Sequence, residues 1–532
     1  MKNTKTYLAL IATVIIAIVT VISCDKNLDK TDPNAVIVSQ FFKNSAELQS
    51  ATNSVYAAFH GGNLVGREWF FLHDTRSDEV ATGGSQLEQP RAQLLNGVHD
   101  PTNSVMNSVW NALYTLIHRA NTVIQNGPDV TDNAPLRDRS IAEAKFLRAW
   151  AYFELVSQWG GVPIYTSTVT GADSYQPRSN EDAVYTLIVQ DLQDAATVLP
   201  GKSGYPASDN GRATKAAANA LLGRVLMQKG DYAGAKTALL NVPGSGADGY
   251  SLTDRYLDNF ELETEFSNES ILEAIYVDKG DNNFNWGGNG VGDGPTADQS
   301  TVRNQEYCPV AWRNLIPSDK YLNEFENTAT GAAKTDPRYK FSVYESGDTY
   351  NKGASVLTDA DVQGSLSTVN GVTKKVSWRK FMLLYGESKS AAGFHPGGNN
   401  QRIIRFADVL LMLAECENEG GNIAGAVGYL NQVRDRPTVA MPHYPTAQYP
   451  VGTKDEVTKA IMHERMVELG DEEVRSIDIV RWRKRGYYPS VAPEPLTYFV
   501  ANKHELLPIP QAEIDNNPQL GTGGVDKQNP GY

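Results

Sequence analysis

The chain of 532 residues is 41% hydrophobic and 21% charged, the balance of a folded protein with a sizeable core rather than of a disordered one. Its formal charge of −14, with no lysine-rich block, argues against nucleic acid or an anionic lipid face as partner, since both demand a basic surface. Three cysteines are too few for a disulfide framework and show no C-x-x-C metal spacing, so Cys308 and Cys416 are expected as small core residues.

The first 24 residues read as a bacterial lipoprotein signal. Lys2 and Lys5 form a short positive region, an apolar run follows over 7–22, and Val21-Ile22-Ser23-Cys24 closes it with a small residue before a cysteine. Such a run spans roughly 24 Å as a helix, short of the ~30 Å hydrocarbon core, so cleavage is expected rather than a membrane span. Cys24 is then the lipidation site, each buried acyl CH₂ adding ~0.8 kcal/mol of membrane affinity. The polar residues 25–34 read as a solvated leash, and no second apolar stretch of spanning length follows.

Helical periodicity then appears over 45–60, 103–126, 136–159, 180–199 and 214–229. Asn126-Gly127-Pro128 and Trp159-Gly160-Gly161-Val162-Pro163 stop two of these, and Gly230-Asp231 turns the last into a helix over 232–240. Ala218-x-x-Leu221-x-Gly223 followed by Gly230-Asp231-Tyr232-x-x-Ala235 has the pattern of a tetratricopeptide hairpin: Gly223 and Ala235 allow close approach and Tyr232 wedges between the helices. The apolar triplet Trp69-Phe70-Phe71 reads as packing.

Over 241–401 the periodicity fades and Gly, Asn, Asp, Ser and aromatic residues accumulate, with partial strand patterning at 271–277, 340–344 and 375–380. A loop-rich insertion on a helical frame is where a binding site is expected. Sugars present apolar CH faces and a rim of hydroxyls, so a carbohydrate site calls for aromatic platforms beside amide and charged side chains. Trp286, flanked by Asn283, Asn285 and the unobstructed Gly287-Gly288, fits best; Tyr307, Trp312 and Arg303 are candidates for the same face. Trp312 reads equally as core, and Trp378 reads as a buried strand residue.

A second hairpin of the same type runs over 405–418 and 423–434, with Ala414 and Ala426 at the crossing. A third helix at 455–469 returns after a loop rich in Pro and Tyr. Glu464 and Glu468, one turn apart, are expected to pair with Arg465, Arg475 and Arg481 and tie this helix to the frame. Arg405, Asp408 and Glu415 are expected to do the same within their hairpin.

Four segments in this order carry a family resemblance. They are Ala142-Glu143-Ala144-Lys145-Phe146-Leu147-Arg148-Ala149 with Gly160-Gly161-Val162-Pro163; Ile404-Arg405-Phe406-Ala407-Asp408 through Glu415, running on to Leu430-Asn431-Gln432-Val433-Arg434-Asp435-Arg436; Glu464-Arg465-x-x-Glu468-Leu469 with Glu472, Arg475, Asp478 and Arg481-Trp482; and Leu507-Pro508-Ile509-Pro510-Gln511. Together they resemble the SusD/RagB family of outer-membrane nutrient-binding lipoproteins over nearly the whole mature chain. One departure stands out: where the family has an aromatic, Glu and Gly after the Glu-Leu pair, this chain has Asp471, Glu472 and Glu473. The resemblance implies a SusC-like, TonB-dependent transporter as partner, with this protein as a lid over its mouth. The terminal Gln528-Asn529-Pro530-Gly531-Tyr532 is expected to dock on the body.

Enzymatic signatures are weak. His463-Glu464-Arg465-Met466-Val467 starts like a zinc-protease helix but puts Val467 at the second ligand position, and 281–292 starts like a calcium loop but lacks its glycine and bidentate Glu. No phosphate loop is present, and no carboxylate couple is marked out for glycoside hydrolysis.

The expectation is thus a mostly α, non-catalytic protein with a tetratricopeptide-like helical hairpin scaffold and a loop-rich insertion containing short β-strands. Its parts are a signal peptide (1–23), lipidated Cys24 and tether (24–40), an N-terminal helical scaffold (41–240), a ligand-binding insertion (241–401) and a C-terminal hairpin, return helix and docked tail (402–532). The expected ligand is a glycan or oligosaccharide, at the outer surface of the outer membrane, with no cofactor, metal or nucleic acid. A peptide or other nutrient as ligand, or a purely structural repeat scaffold, are the alternatives.

Overall fold

The computed structural model describes residues 41–169, 171–277, 300–328, 333–362, 364–387 and 397–532. Cys24, Asn283, Asn285 and Trp286 lie outside the described residues.

The helical frame is built from elements whose starts are written in their caps. Helices Ser45–His60, Ser104–Asn126, Ala134–Trp159 and Glu181–Val198 each follow an Asn whose side chain accepts from a backbone NH of the first turn, and Lys215–Lys229 follows Thr214 in the same way. Each such cap contributes about 1 kcal/mol. Successive helices pack side by side, with Trp110, Trp150 and Trp159 fully buried between them; Phe59 meets Trp150 edge-on at 4.7 Å and Trp110 meets Trp159 at 5.5 Å.

Both expected hairpins form. Lys215–Lys229 ends at Gly230 in the left-handed region (φ 84°), with NH bonds from Gly230 to Met227 and from Asp231 to Leu226, and Tyr232–Leu239 returns. Phe406–Glu419 turns through Gly421 (φ 81°) into Ile423–Arg434 by an equivalent pair of bonds. The two hairpins pack on each other, and the Tyr232 hydroxyl, read as a wedge within its own hairpin, donates to Glu415 of the second at 3.2 Å. Gly223 is needed for the crossing: a Cβ there would lie 2.5 Å from the Leu239 side chain. Gly223→Val is expected to destabilise the fold by about 1–3 kcal/mol, read as a lower urea midpoint at unchanged slope.

Lys454–Leu469 begins with a capping box between Thr453 and Glu456 and packs on the second hairpin, followed by Arg475–Lys484. Among the described residues no helix is long and apolar enough to cross a membrane.

The insertion is fastened to this frame by short antiparallel pairs. Ser270–Ala274 pairs with Gln401–Arg405, which leads directly into the second hairpin; Val80–Thr82 pairs with Leu315–Pro317, and Val343–Glu345 with Val376–Trp378. The expected strand at 340–344 is half helix: Arg338–Ser342 is helical, started by the Asp336 carboxylate accepting from the Arg338 NH. Trp378 is buried against Tyr321 at 4.9 Å, and Trp69, Phe70 and Phe71 are packing residues. Cys308 and Cys416 are free and buried, burial pushing both thiols up to about 12.

The C-terminal tail docks. The Asn529 amide donates to the carbonyls of Trp159 (2.9 Å) and Leu507 (2.6 Å) and accepts from Arg178, while the Tyr532 hydroxyl meets His99 at 2.9 Å.

Candidate functional site

The residues that position the insertion are buried ion pairs, and their partners are not the expected ones. Glu464 accepts from Arg338 (2.8 Å) and Arg434; Glu468 accepts from Arg436 (2.9 Å), Arg405 (3.0 Å) and Arg338 (3.2 Å). Arg338 comes from the insertion, so the two glutamates bind it to their own helix and, through Arg434 and Arg436, to the end of Ile423–Arg434. Arg405 and Arg436 also bind Glu269 beside the first strand of the insertion, and Glu472 binds Arg405 and Lys380. Arg475 reaches back to Asp78, Arg465 joins Asp408 to Asp478, and Arg481 joins Glu415 to Asp478. Burial alone would raise the Glu468 carboxyl, but Arg436, Arg405 and Arg338 outweigh it and hold it below the usual carboxylate range.

The departure at Asp471 and Glu473 belongs to this lattice. Arg303, in the short helix Arg303–Tyr307, pairs with the carboxylates of Asp471 (2.8 Å) and Glu473 and donates to the Asp471 carbonyl at 2.6 Å. Both acids occupy left-handed backbone, φ 64° and 58°. Arg303 therefore cannot meet a ligand: it is 1% exposed, its guanidinium stacked over Phe381 and Phe70. Tyr307 is corrected likewise. It is fully buried, edge-on to Phe70 and Phe71, with its hydroxyl donating to Asp74 at 2.7 Å. The phenylalanines and acids that bury both come from distant parts of the chain.

Trp312 is the candidate the structure leaves at the surface, half-buried on the turn after that helix. The turn is rigid: the Trp312 NH donates to Gln305 (3.1 Å) and the Asn314 NH to Glu306 (2.7 Å). Arg313, not anticipated as a site residue, fixes it to two other loops. Its guanidinium donates to the carbonyls of Gly83 (2.7 Å), Val376 (3.0 Å) and Ser365 (3.1 Å), and Gly83 and Gly364 approach so closely that a Cβ on Gly364 would lie 1.7 Å from the Gly83 oxygen. Exposed Ser85, Gln86 and Glu88 follow on the first of those loops. At the other end of Arg303–Tyr307, Thr301 and Gly397 exchange backbone bonds of 2.9 and 2.7 Å. One short helix thus runs from this pairing to the turn that carries Trp312.

One group among the described residues approaches metal geometry: Glu326, His463 and Glu464. Its chemistry is that of an ion pair. Arg434 binds both glutamates, and although burial lowers the His463 pKa, Glu324 (3.0 Å) and Glu326 raise it to about 9, making it an imidazolium that repels a cation.

The carboxylates set two opposed pH limbs. Burial is outweighed at Asp408 by Arg465 and Arg224, and at Asp78 by Arg475 and Lys320, holding each at about 2. This contribution is present above the unfolded value of ~3.9 and is lost as pH falls toward 2. Burial raises Glu265 to about 7, so its contribution is full below its unfolded value of ~4.3 and is lost as pH rises through 7. The melting temperature is expected to peak near pH 4, where the two limbs meet, and Glu265→Gln to flatten the fall between pH 5 and 8 by on the order of 2–3 kcal/mol.

Comparison with known proteins follows the same outline. A model of the SusD family matches residues 226–532, and a family described as starch-binding and associating with the outer membrane matches residues 26–227. The SusD-like protein P25 of Formosa agariphila is 26% identical over 540 aligned positions, covering 96% of this chain and 97% of its own. A SusD homolog from Bacteroides thetaiotaomicron superposes with a TM-score of 0.74 at 22% identity, covering 93% of this chain and 98% of its own. A laminarin binding SusD-like protein superposes with a TM-score of 0.70 at 27% identity, covering 92% and 100%.

Proposed function

The chain belongs to the SusD family, and from that premise we propose that it is a lipid-anchored protein of the outer cell surface that captures a glycan or its oligosaccharide products and passes them to a SusC-like, TonB-dependent transporter. The observation that carries the reading is Trp312: a half-buried tryptophan on a turn locked by Arg313, whose guanidinium bonds Gly83 just ahead of the exposed Ser85, Gln86 and Glu88. Trp286, with Asn283 and Asn285, supplies the second platform in this reading, and the laminarin binding SusD-like protein supports a sugar as the ligand class. Cys24 carries the acyl anchor that keeps the protein beside its transporter.

Each stacked sugar face removes about 70 Å² of apolar surface, worth about 1.75 kcal/mol at ~25 cal/mol/Å². Two or three stacks, less ordering costs, give micromolar to millimolar binding, weak enough for release to a pore. The role needs no catalytic group: Arg303 and the acids near it are engaged in holding the turn. The test is a glycan array on the soluble form, residues 25–532, followed by calorimetry on the glycan retained. Trp286→Ala and Trp312→Ala are each expected to weaken binding about ten- to thirtyfold at an unchanged melting temperature. An array without carbohydrate hits, or affinity untouched by both substitutions, rejects the reading. Palmitate labelling lost in Cys24→Ala and co-purification of a barrel protein check the anchor and the partner.

A further inference from the structure

We propose a second carbohydrate site on the helical frame, apart from the loop face: a pocket that takes one neutral pyranose ring. It is a cavity of about 270 Å³ between helix Ser104–Asn126, the extended segment that follows Pro163, and the last short helix, Gln511–Asn516. That lies just under the ~300 Å³ lower end of small-molecule pockets, the scale of a single sugar ring rather than of a chain.

Its walls are aromatic and fixed. Tyr114 and Tyr165 stand perpendicular, ring centroids 5.8 Å apart at 87°, forming a corner. The Tyr114 hydroxyl is tied to the Pro163 carbonyl at 2.8 Å, while the Tyr152 hydroxyl and the Asn121 amide both bond the Tyr165 carbonyl at 3.0 Å, so the corner offers ring surface in a set orientation. Tyr175 adds a third ring, 39% exposed, at the rim. The apolar face of a pyranose meets one wall while its edge meets the other.

The polar groups around that corner match a ring of hydroxyls. Asn111 and His118 lie one turn before and one turn after Tyr114 on the same helix face and are exposed. Glu513 closes the pocket opposite them. One of its oxygens accepts from the Asn517 amide at 2.7 Å and the other takes no hydrogen bond from a described residue, which leaves an acceptor for sugar OH groups. After burial, Glu513 is among the groups that raise the phenols of both Tyr114 and Tyr165, as its proximity to the two rings requires. The same carboxylate sets specificity against acidic sugars. Arg178, the cation that acts on Tyr114, has its guanidinium committed to the carbonyls of Gly161 and Asp526 and to Asn529. Among the described residues that line the pocket there is no lysine or arginine, so a uronic acid would meet Glu513 uncompensated.

The site does not rest on the loop face, and the experiment separates the two. Saturation-transfer NMR is run on the full chain in a non-glycoside detergent, with maltose, laminaribiose, glucuronate and tetramethylammonium as probes, in a Trp286→Ala/Trp312→Ala background. At least one neutral disaccharide is expected to keep its signal, with a millimolar dissociation constant, and glucuronate to bind at least tenfold more weakly. Adding Tyr175→Ala or Glu513→Gln is expected to weaken the neutral sugar at least tenfold; both side chains lie at the rim, and an unchanged melting temperature confirms that the fold is intact. Three results overturn the proposal: no neutral sugar signal in the loop-disabled background, a signal indifferent to Tyr175→Ala and Glu513→Gln, or preferential binding of tetramethylammonium, which would make the aromatic corner a cation site. Loss of all binding on removal of the two tryptophans would leave the loop reading standing and remove this one.

Discussion

Glu468→Gln is expected to destabilise the fold by about 3–5 kcal/mol, the range for breaking a buried ion pair by removing one partner. Glu468 is fully buried and accepts from three guanidiniums, those of Arg338, Arg405 and Arg436, each from a different part of the chain. An amide keeps the shape but loses the charge, and its NH₂ group turns a donor toward donors. Arg338 retains Asp336 and Glu464, and Arg405 retains Glu269 and Glu472, which limits the loss; Arg436 retains Glu269 and Thr253. Urea unfolding measures the difference, with Glu456→Gln as the contrast. Glu456 forms an exposed capping box at the start of the same helix, where a loss of no more than about 1 kcal/mol is expected. Equal losses at the two positions would mean that the buried carboxylate is not a keystone between insertion and frame.

The contrast between these two glutamates is also the contrast between what was legible in the sequence and what was not. Glu456 belongs to a signal spread over four consecutive residues, and the frame was read from features just as local: apolar residues at three-and-four spacing and glycine stops such as Gly230. Glu468 was legible as charged and paired, but its partners lie 32, 63 and 130 residues away, and a spacing rule within one helix points to the wrong ones. The candidate site divides in the same way. An aromatic and an arginine in a polar segment look alike whether they face solvent or a distant apolar surface. Trp312 ended half-buried on a turn held from behind by Arg313, and Tyr307 ended fully buried because Phe70 and Phe71 come to meet it. One non-local clue was present: two acids standing where an aromatic and a glycine are usual imply a buried cation elsewhere, and Arg303 is that cation.

The Arg303 anchor yields the second large effect. Arg303→Met leaves Asp471, Glu473 and Asp74 facing one another without the cation that pairs them, and a loss of about 3–5 kcal/mol is expected at pH 8, smaller at pH 6 because the acids can take up a proton as pH falls. Burial already pushes Asp471 up to about 8 and raises Glu473, so part of the lost pairing is replaced by protonation. Glu473→Gly acts differently. It removes one partner of Arg303 but leaves Asp471, and it relieves a left-handed backbone at φ 58° worth roughly 1 kcal/mol, so a net change near zero is expected. In the double variant the methionine faces one acid fewer, and the cost of Arg303→Met should fall by about 1.5–2 kcal/mol. That coupling is the quantity to measure. Additive losses would mean that Glu473 already carries its proton in the folded protein and that Asp471 alone holds the arginine. A coupling of the expected size makes the pair ionic, and it explains why strained backbone persists at both acids: each is held in place by the guanidinium that fixes the helix leading to Trp312.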